Sequence, residues 1–262
     1  MARIVPLFSG STGNSYFIGS GKEGILIDVG RSAKQTTELL NKAQIDIDII
    51  KGIFVTHEHS DHINGIRVFA SKNKIPVYAL SSVLSEMENL GALAKVTYDE
   101  ISSKMEVAGM EISAFETPHD SKGSCGYVIK TNDERKIAFF TDLGHITESI
   151  DNAMKNCDFA IIESNHDVNM LKSGPYPYFL KQRILSDNGH LSNDACAEEV
   201  KKLSKNGTSW FLLSHLSREN NTPRKAFDTT NNLLLSEGLK PNIDYKLMVS
   251  PIVNENGKNI IF

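Results

Sequence analysis

A short run of histidines and acids follows an apolar stretch near the start of the chain. In FVTHEHSDHINGI, residues 54–66, side chains that could bind a metal ion stand at His57, His59, Asp61 and His62. They cannot all face one way on a regular strand or helix, so the run predicts a turn on which they converge. Imidazole and carboxylate ligands suit zinc, manganese or iron. Four donors exceed what one tetrahedral ion with an open position can use, which indicates two divalent metal ions.

Three further candidate ligands each come directly after an apolar run. His119 follows MEISAFETP, Asp142 closes KIAFFTD and His215 closes WFLLSH. Because each polar residue ends a predicted strand, we expect all of them at one edge of the sheets. Together with the first run they make seven candidate ligands, five histidines and two aspartates.

Predicted strands and helices alternate along the whole chain. The stretch SAKQTTELLNKA predicts a helix capped by Ser32, and IRVFASKN predicts another. No Pro/Gly/Ser linker, fixed-period repeat or low-complexity segment interrupts the pattern, so we expect one domain over residues 1–262. Strands in both halves, each with helices to cover one face, predict an α/β fold with four layers, an αββα sandwich.

Composition limits the compartment and the class of protein. With 40% hydrophobic and 23% charged residues, the chain is an ordinary globular protein. Its cysteines, at positions 125, 157 and 196, include no CxxC pair, which indicates neither a disulfide framework nor a structural zinc cluster and fits a reducing compartment. The sequence has no signal-peptide pattern and no apolar run near the roughly 18 residues that span a bilayer, so we expect a cytoplasmic protein without membrane contact.

Charge is unevenly distributed. The net charge is -4, but residues 172–225 carry nine Lys/Arg against five Asp/Glu, a local +4 that leaves -8 for the remainder. This segment could face an anionic substrate, or it could consist of solvated helix faces.

The candidate ligands together resemble the metallo-β-lactamase superfamily. The pattern HxHxDH at residues 57–62, then His119, Asp142 and His215 in that order, is typical of its members, which share an αββα sandwich with a mono- or dinuclear metal site. The resemblance implies two groups of ligands with a bridging carboxylate: His57, His59 and His119 on one metal, Asp61, His62 and His215 on the other, and Asp142 between them. Lactamases place a cysteine where Asp142 stands, so a carboxylate there favours the hydrolase and nuclease branches over β-lactam hydrolysis.

Further motifs resemble the YycJ/WalJ-type exonuclease branch of that superfamily. These are SGSTGNS, ESNHD, GPYP, SDNGHLSN and LSHLSRENN, which begin at residues 9, 163, 174, 186 and 213. The resemblance implies a metal-dependent phosphodiesterase that acts on nucleic acid, as a 5'-to-3' DNA exonuclease. Its nucleophile would be a metal-bridging hydroxide that Asp61 orients.

A second region resembles a stretch of ribonuclease J-like nucleases. In GHLSN, His190 would contact the scissile phosphate or protonate the leaving oxygen. Ser192 or Asn193 is expected to cap the helix that begins near Asp194, where a phosphate oxygen could also bind. The inserted domain of those nucleases is missing, which argues against RNA specificity. At the end of the predicted strand FAIIES, Glu163, Asn165 and His166 could support a metal ligand or serve only the local turn.

Other functions remain open on the same residues. A thioester or lactone hydrolase of glyoxalase II or lactonase type would use the same metals on a small substrate. A thioesterase would need neither His190 nor the positive segment. A non-catalytic metal-binding module and an oxygen-reducing di-iron protein are further alternatives. The intact ligand set argues against the first, and the lack of a flavodoxin-like domain against the second.

Overall fold

Two mixed β-sheets pack face to face in the computed structural model, which describes residues 1–101 and 103–262. Within these residues the first sheet has the strand order β14-β1-β2-β3-β4-β5-β6 and the second has the order β13-β12-β11-β10-β9-β8-β7. The strands are Ala2–Phe8 (β1), Ser15–Ser20 (β2), Glu23–Ile27 (β3), Ile50–Phe54 (β4), Val77–Ala79 (β5), Tyr98–Glu100 (β6), Lys104–Val107 (β7), Met110–Glu116 (β8), Cys125–Lys130 (β9), Lys136–Phe140 (β10), Phe159–Glu163 (β11), Trp210–Ser214 (β12), Lys246–Val249 (β13) and Ile260–Ile261 (β14).

Helices cover the outer face of each sheet. The described α-helices are Ala33–Lys42 (α1), Ser60–Ile63 (α2), Ile66–Asn73 (α3), Ser81–Asn89 (α4), Glu148–Met154 (α5), Val168–Ser173 (α6), Tyr178–Ile184 (α7), Asn193–Lys205 (α8) and Pro223–Ser236 (α9), and a 3-10 turn spans Ile47–Ile49. Apolar side chains of α1, α3 and α4 pack on the first sheet, and those of α5, α8 and α9 pack on the second. The expected four-layer αββα sandwich is therefore confirmed.

A third apolar cluster fills the space between the sheets. It combines residues of the first sheet, such as Tyr16 and Phe54, with Tyr127 and Phe139 of the second. The rings of Tyr16 and Phe139 meet edge to face with their centroids 5.0 Å apart. The inner strands of both sheets, such as β2, β10 and β11, are buried on both faces, which explains why β10 and β11 are nearly continuous apolar runs.

Strand directions determine where the polar strand ends lie. Strands β3 to β6 run parallel to one another, and so do β10 to β13. Strand β8 is antiparallel to β9, which is antiparallel to β10, so β8 points the same way as β10. The carboxyl ends of these strands therefore lie at one edge of their sheets, the position where open α/β sheets bind ligands.

Most predicted elements occur where they were expected. The Ser32 side chain accepts a hydrogen bond from the Gln35 backbone N–H and caps α1, and α3 coincides with IRVFASKN. Helices α4 and α6 and the short strands β6, β7 and β14 were not predicted. Strand β6 consists of three exposed residues, which carry no apolar pattern. No helix in the described part of the chain is long and apolar enough to cross a membrane.

Candidate metal centre

All seven candidate ligands converge at the carboxyl edge of the sheets. Ligand atoms within each of three sets lie within 4.8 Å of one another: His57, His59 and His119; Asp61, His62 and His215; and His57, His62 and Asp142. The HEHSDH run is a turn, as expected, but it ends in the single helical turn α2, which carries Asp61 and His62. The chain therefore brings together donors that lie up to 158 positions apart, as between His57 and His215.

The first set holds its imidazoles at a spacing that suits one ion. His57 Nε2 and His59 Nδ1 face each other at 3.0 Å. Two nitrogens bound tetrahedrally to zinc at 2.0–2.1 Å would be about 3.3 Å apart, so this pair needs to open only slightly. His119 lies beside both rings, and its Nδ1 donates to the Gly189 carbonyl at 3.2 Å, which leaves Nε2 for a ligand.

The second set surrounds His62. Its Nδ1 donates to Asp28 Oδ2 at 2.8 Å, while its Nε2 lies 3.6 Å from Asp61 Oδ2 and 3.6 Å from Asp142 Oδ2. His215 donates from Nδ1 to Glu163 Oε1 at 2.6 Å, and its buried Nε2 has no hydrogen-bond partner among the described residues. His215 thus keeps Nε2 free to bind a metal, whereas His62 Nε2 faces Asn14 Nδ2 at 3.0 Å and would exchange this contact for a metal.

Hydrogen bonds to the far side of the rings support four of the five histidines. His57 Nδ1 donates to Thr56 Oγ1 at 3.0 Å, and Thr56 Oγ1 in turn donates to Asp28 Oδ2 at 2.9 Å. Asp28 therefore supports His62 directly and His57 through Thr56. A metal-binding histidine nearly always has such a partner on its second nitrogen, because the partner fixes the tautomer and the orientation of the ring.

Asp142 lies between the two sets and lacks a partner for one oxygen. Its carboxylate is buried, and no described residue hydrogen-bonds Oδ2. Burial by itself raises the pKa of Asp142, but attraction to His215, His62 and His57 outweighs burial and holds the pKa well below its usual range. An anionic oxygen without a partner in a buried site calls for positive charge, and divalent cations would supply it.

The pKa values of two histidines beside Asp142 also indicate a site for positive charge. Burial lowers the pKa of His62, but Asp142 and Asp28 raise it to about 10. Burial likewise lowers the pKa of His215, but Asp142 and Glu163 raise it to about 9. Cations bound at these nitrogens would displace the protons and take over the charge balance, so the donor set fits a metal centre.

The backbone is unusual where three of these side chains enter the site. Asp28, Asp142 and His215 each have a positive φ, at 59°, 59° and 55°. Non-glycine residues rarely adopt this left-handed conformation, which is enriched at functional sites. All three directly follow the end of a parallel strand or lie within two residues of it, so the conformation turns the side chain into the site.

His190 joins the site through Glu163. His190 Nδ1 donates to Glu163 Oε1 at 2.9 Å, the same oxygen that accepts from His215. Glu163 Oε2 accepts from the backbone N–H groups of Leu143 and Leu191, at 3.1 and 3.0 Å. Burial alone raises the pKa of Glu163, but His190 and His215 lower it to about 2. Glu163 is thus an ionised anchor for both imidazoles.

The other predicted residues lie nearby in different roles. An open cleft lies over the candidate ligands and is lined by His59, Asp61, His119, Asp142, His190 and His215 among others. Asn165 also lines this cleft, and its Nδ2 donates to the His215 carbonyl at 2.9 Å. His166 is buried, and burial lowers its pKa to about 4. It belongs to none of the described donor groups. Ser192 caps α8 by accepting from the Ala195 N–H at 3.2 Å, so α8 begins one residue before the expected start.

The loop that joins β1 and β2 of the first sheet, SGSTGNS, also supports the site. Asn14 Nδ2 donates to Asp61 Oδ2 at 3.3 Å, and the Asn14 N–H donates to the Asp61 carbonyl at 2.8 Å. A Cβ atom on Gly30 would lie 1.7 Å from the same carbonyl oxygen, so only glycine fits there. The Ser9 hydroxyl accepts from the His215 N–H at 2.8 Å.

Sequence reasoning did not identify Asn14, Asp28, Thr56 or Asp120 as site residues. Asp120 lines the cleft, with Oδ1 3.5 Å from His119 Nε2. Asp28 could have been found, because it ends the apolar run GILID just as Asp142 ends KIAFFTD. Asn14 lies in the motif SGSTGNS and Thr56 directly follows the apolar run GIFV, but neither residue was singled out.

Comparison with known proteins agrees with this geometry. Residues 24–215 match the family model described as the beta-lactamase superfamily domain. The chain is 35% identical over 237 residues to "Exodeoxyribonuclease YycJ" of Bacillus anthracis, covering 88% of this chain and 89% of that protein. It is 37% identical over 246 residues to "Exodeoxyribonuclease WalJ" of Streptococcus pneumoniae, covering 92% and 91%.

The fold also matches a solved structure. The metallo-beta-lactamase fold protein YhfI of Bacillus subtilis superposes with a TM-score of 0.73 at 16% identity, covering 97% of this chain and 98% of that one. Both resemblances noted in the sequence, to the superfamily and to the YycJ/WalJ-type branch, are thereby confirmed. The chain belongs to the metallo-β-lactamase superfamily and is a hydrolase.

Proposed function

We propose that the protein is a metal-dependent phosphodiesterase that degrades DNA from the 5' end. One observation carries this proposal. The seven candidate ligands, with the carboxylate of Asp142 between the two sets, share an open cleft with His190, which Glu163 holds by a hydrogen bond. The similarity to two proteins named exodeoxyribonucleases over about nine-tenths of the chain supports the same choice of substrate.

Two divalent ions, zinc, manganese or iron, would occupy the centre. His57, His59 and His119 would hold one ion and Asp61, His62 and His215 the other, with Asp142 between them. When bound, such a pair activates water near neutral pH and stabilises charge on the attacking and leaving oxygens of a phosphodiester.

The chain itself would orient water and move a proton. Asp61 lines the cleft, and Asn14 holds its Oδ2 by a hydrogen bond, so this carboxylate can accept a hydrogen bond from the attacking water. His190 donates from Nδ1 to Glu163, which leaves Nε2 as the nitrogen that can protonate the leaving oxygen. The ionised Glu163 fixes the tautomer and the orientation of the His190 ring.

A thioester or lactone hydrolase is the competing assignment. It would share the metal ligands, but its substrates carry no phosphodiester for Arg183 in the cleft to bind. The thiolate released from a thioester also needs no proton donor at His190. The cytoplasmic location and the single domain over residues 1–262 stay predictions.

One assay separates these assignments. Single- and double-stranded DNA labelled at either end would be incubated with protein loaded with zinc or manganese, beside a thioester and a lactone, and metal content would be measured by elemental analysis. We expect two ions per chain and loss of DNA from the 5' end, with a 5' block of phosphorothioate linkages preventing digestion. Turnover of the thioester or lactone without nuclease activity would overturn the proposal.

A variant tests the role of His190. His190→Gln should bind both ions but lose about 10²- to 10⁴-fold in the rate of DNA digestion, the range for loss of a general acid. A DNA substrate whose leaving oxygen is replaced by sulfur needs less protonation, so it should recover most of that rate. Equal losses on both substrates would show that His190 does not act as the acid.

A further inference from the structure

Helix α7 places exposed aromatic residues beside the metal centre. Leu180, Arg183 and Ile184 of this helix line the same cleft as His190 and the candidate ligands. Phe179 is 74% exposed and Tyr178 is 77% exposed. Single exposed apolar side chains are common on protein surfaces, so exposure alone indicates no function. Neither of these two rings is among the residues that line the cleft, so their positions follow from the geometry of the helix.

The turn that follows α7 connects this helix to the candidate ligands. The His190 N–H donates to the Ile184 carbonyl at 3.0 Å, and His119 Nδ1 donates to the carbonyl of Gly189. A Cβ atom on Gly189 would lie 2.2 Å from the Ile184 carbonyl oxygen, so the turn between α7 and His190 is tight. A ligand on the exposed surface of α7 is therefore at a defined distance from the reacting groups.

Helical spacing assigns the two exposed aromatic residues to different sides of α7. Phe179 and Arg183 are four residues apart, so they are neighbours on one face of the helix, and Arg183 lines the cleft. Tyr178 is five residues from Arg183 and lies about 140° around the helix axis from it. Phe179 thus stands at the rim of the cleft, while Tyr178 points away from it.

Arg183 is oriented for an anion. Its Nε donates to Asp120 Oδ2, which fixes the plane of the guanidinium, and its side chain is half-exposed. Within the described residues its two terminal nitrogens have no hydrogen-bond acceptor. A planar guanidinium with free terminal N–H groups suits a phosphate.

An aromatic ring next to an arginine suits an unpaired nucleotide. A base stacks on the ring and the adjoining phosphate meets the guanidinium, the combination that proteins use to bind single-stranded nucleic acid. Bases of a blunt duplex are already stacked and paired, so they cannot occupy such a ring without cost. The local +4 of residues 172–225 adds attraction for a polyanion, whereas a neutral protein surface would gain nothing from it.

We propose that Phe179 and Arg183 form a stacking platform that binds an unpaired nucleotide of single-stranded DNA and directs the strand into the cleft. This inference rests on the proposed function and specifies the form of DNA that the enzyme takes. Frayed or single-stranded ends are then bound and degraded in preference to blunt ones.

Binding is measured separately from digestion. Metal-loaded protein is titrated into an internally labelled single strand with phosphorothioate linkages, which resist hydrolysis, and fluorescence anisotropy reports the Kd. We expect Phe179→Ala to weaken binding at least about fivefold, since a base stacked on an aromatic ring contributes about 1–3 kcal/mol. Tyr178→Ala is the matched control, because it removes an equally exposed ring from the other side of the same helix. It should change Kd less than about twofold.

Two further probes separate stacking from charge. A strand whose terminal nucleotides lack bases should bind the unmodified protein as weakly as the normal strand binds Phe179→Ala, and the variant should show no additional loss on it. Arg183→Gln should reduce the slope of log K against log salt concentration by about 0.7, the value for one phosphate contact on a single strand. Metal content and thermal unfolding of each variant show that it is folded and loaded.

The outcomes distinguish this inference from the proposed function. The platform would be overturned if Phe179→Ala and Tyr178→Ala had equal Kd values, which would leave α7 as a surface for a protein partner. It would also be overturned if a blunt duplex bound as tightly as the single strand and this binding depended on Phe179. If the protein digests DNA but Phe179→Ala binds and digests it normally, only the platform fails. If strand binding depends on Phe179 but no DNA is digested, the proposed function fails and the platform stands.

Discussion

Replacing Asp28 by asparagine should loosen both proposed metal ions at once. The Asp28 carboxylate accepts from the Thr56 N–H at 2.9 Å, from Thr56 Oγ1 at 2.9 Å and from His62 Nδ1 at 2.8 Å. His57 donates in turn to Thr56 Oγ1. One buried carboxylate therefore supports a histidine of each ligand set.

An asparagine has nearly the same shape but cannot accept all three hydrogen bonds. Whichever way the amide is turned, its NH₂ group faces either the Thr56 N–H or the pair formed by Thr56 Oγ1 and His62 Nδ1. If His62 shifts its proton to Nε2 to avoid the clash, the nitrogen that would bind the metal is blocked. Loss of such a supporting partner typically costs 10- to 100-fold in metal affinity, or about 1.4–2.8 kcal/mol.

The metal-free protein should also be less stable. A hydrogen bond to a charged group contributes about 1.5–3 kcal/mol, and Asp28→Asn removes at least one of the three in a fully buried position. Metal affinity would be measured by competition with a fluorescent zinc chelator, and the free energy of unfolding of the metal-free protein by urea titration. We expect affinity to fall in both sets of ligands and stability to fall by at least about 1.5 kcal/mol.

Asp158→Asn is the matched control. Asp158 also accepts a backbone N–H, from Lys136 at 2.8 Å, but it precedes β11 and so lies at the edge opposite the metal centre. This variant should leave metal affinity unchanged. Unchanged affinity in Asp28→Asn, or an equal loss in the two variants, would refute the view that Asp28 orients the ligands.

Three further predictions concern stability and reactivity. Removing the metals with a chelator should lower the unfolding temperature, because ions that bind only the folded chain stabilise it by about 4 kcal/mol at a thousandfold excess over Kd. Calorimetry with and without chelator measures the change. Identical unfolding temperatures would show that the folded chain binds no metal tightly. Cys125 and Cys157 should react with a thiol reagent only after unfolding, since burial raises the pKa of each to about 12, and rapid labelling of the native protein would contradict this. Phe139→Ala should lower the free energy of unfolding by about 3–5 kcal/mol in a urea titration, because Phe139 is buried between the sheets against Tyr16. A loss below about 1 kcal/mol would mean that the ring is not a core contact.

Much of the architecture and of the site could be predicted from local sequence patterns. Apolar runs that end in a polar residue marked His119, Asp142 and His215 as strand ends, and the same pattern would have marked Asp28. A run with three histidines and an aspartate in six residues could not be regular structure, so it had to be a turn. These inferences hold because a strand and the polar residue that ends it are consecutive in the sequence.

The pairing of distant segments could not be predicted in the same way. Sequence alone left Glu163 with either a supporting or a local role, and only the structure shows one oxygen joining His190 to His215. It likewise shows the contact of Asn14 with Asp61. Such contacts depend on which strands are neighbours and on how two sheets stack.

What the sequence by itself determined is therefore the kind of chemistry: a donor set for divalent ions at strand ends of a layered α/β protein. What only the tertiary structure decided is how those donors are held, such as the left-handed backbone at Asp142 and the hydrogen bond from His215 to Ser9 across 206 residues. The physical reason is the distance along the chain over which the interactions act. Apolar periodicity and turn signals act over a few residues, whereas the order of strands and the packing of sheets arise from the burial of the whole chain.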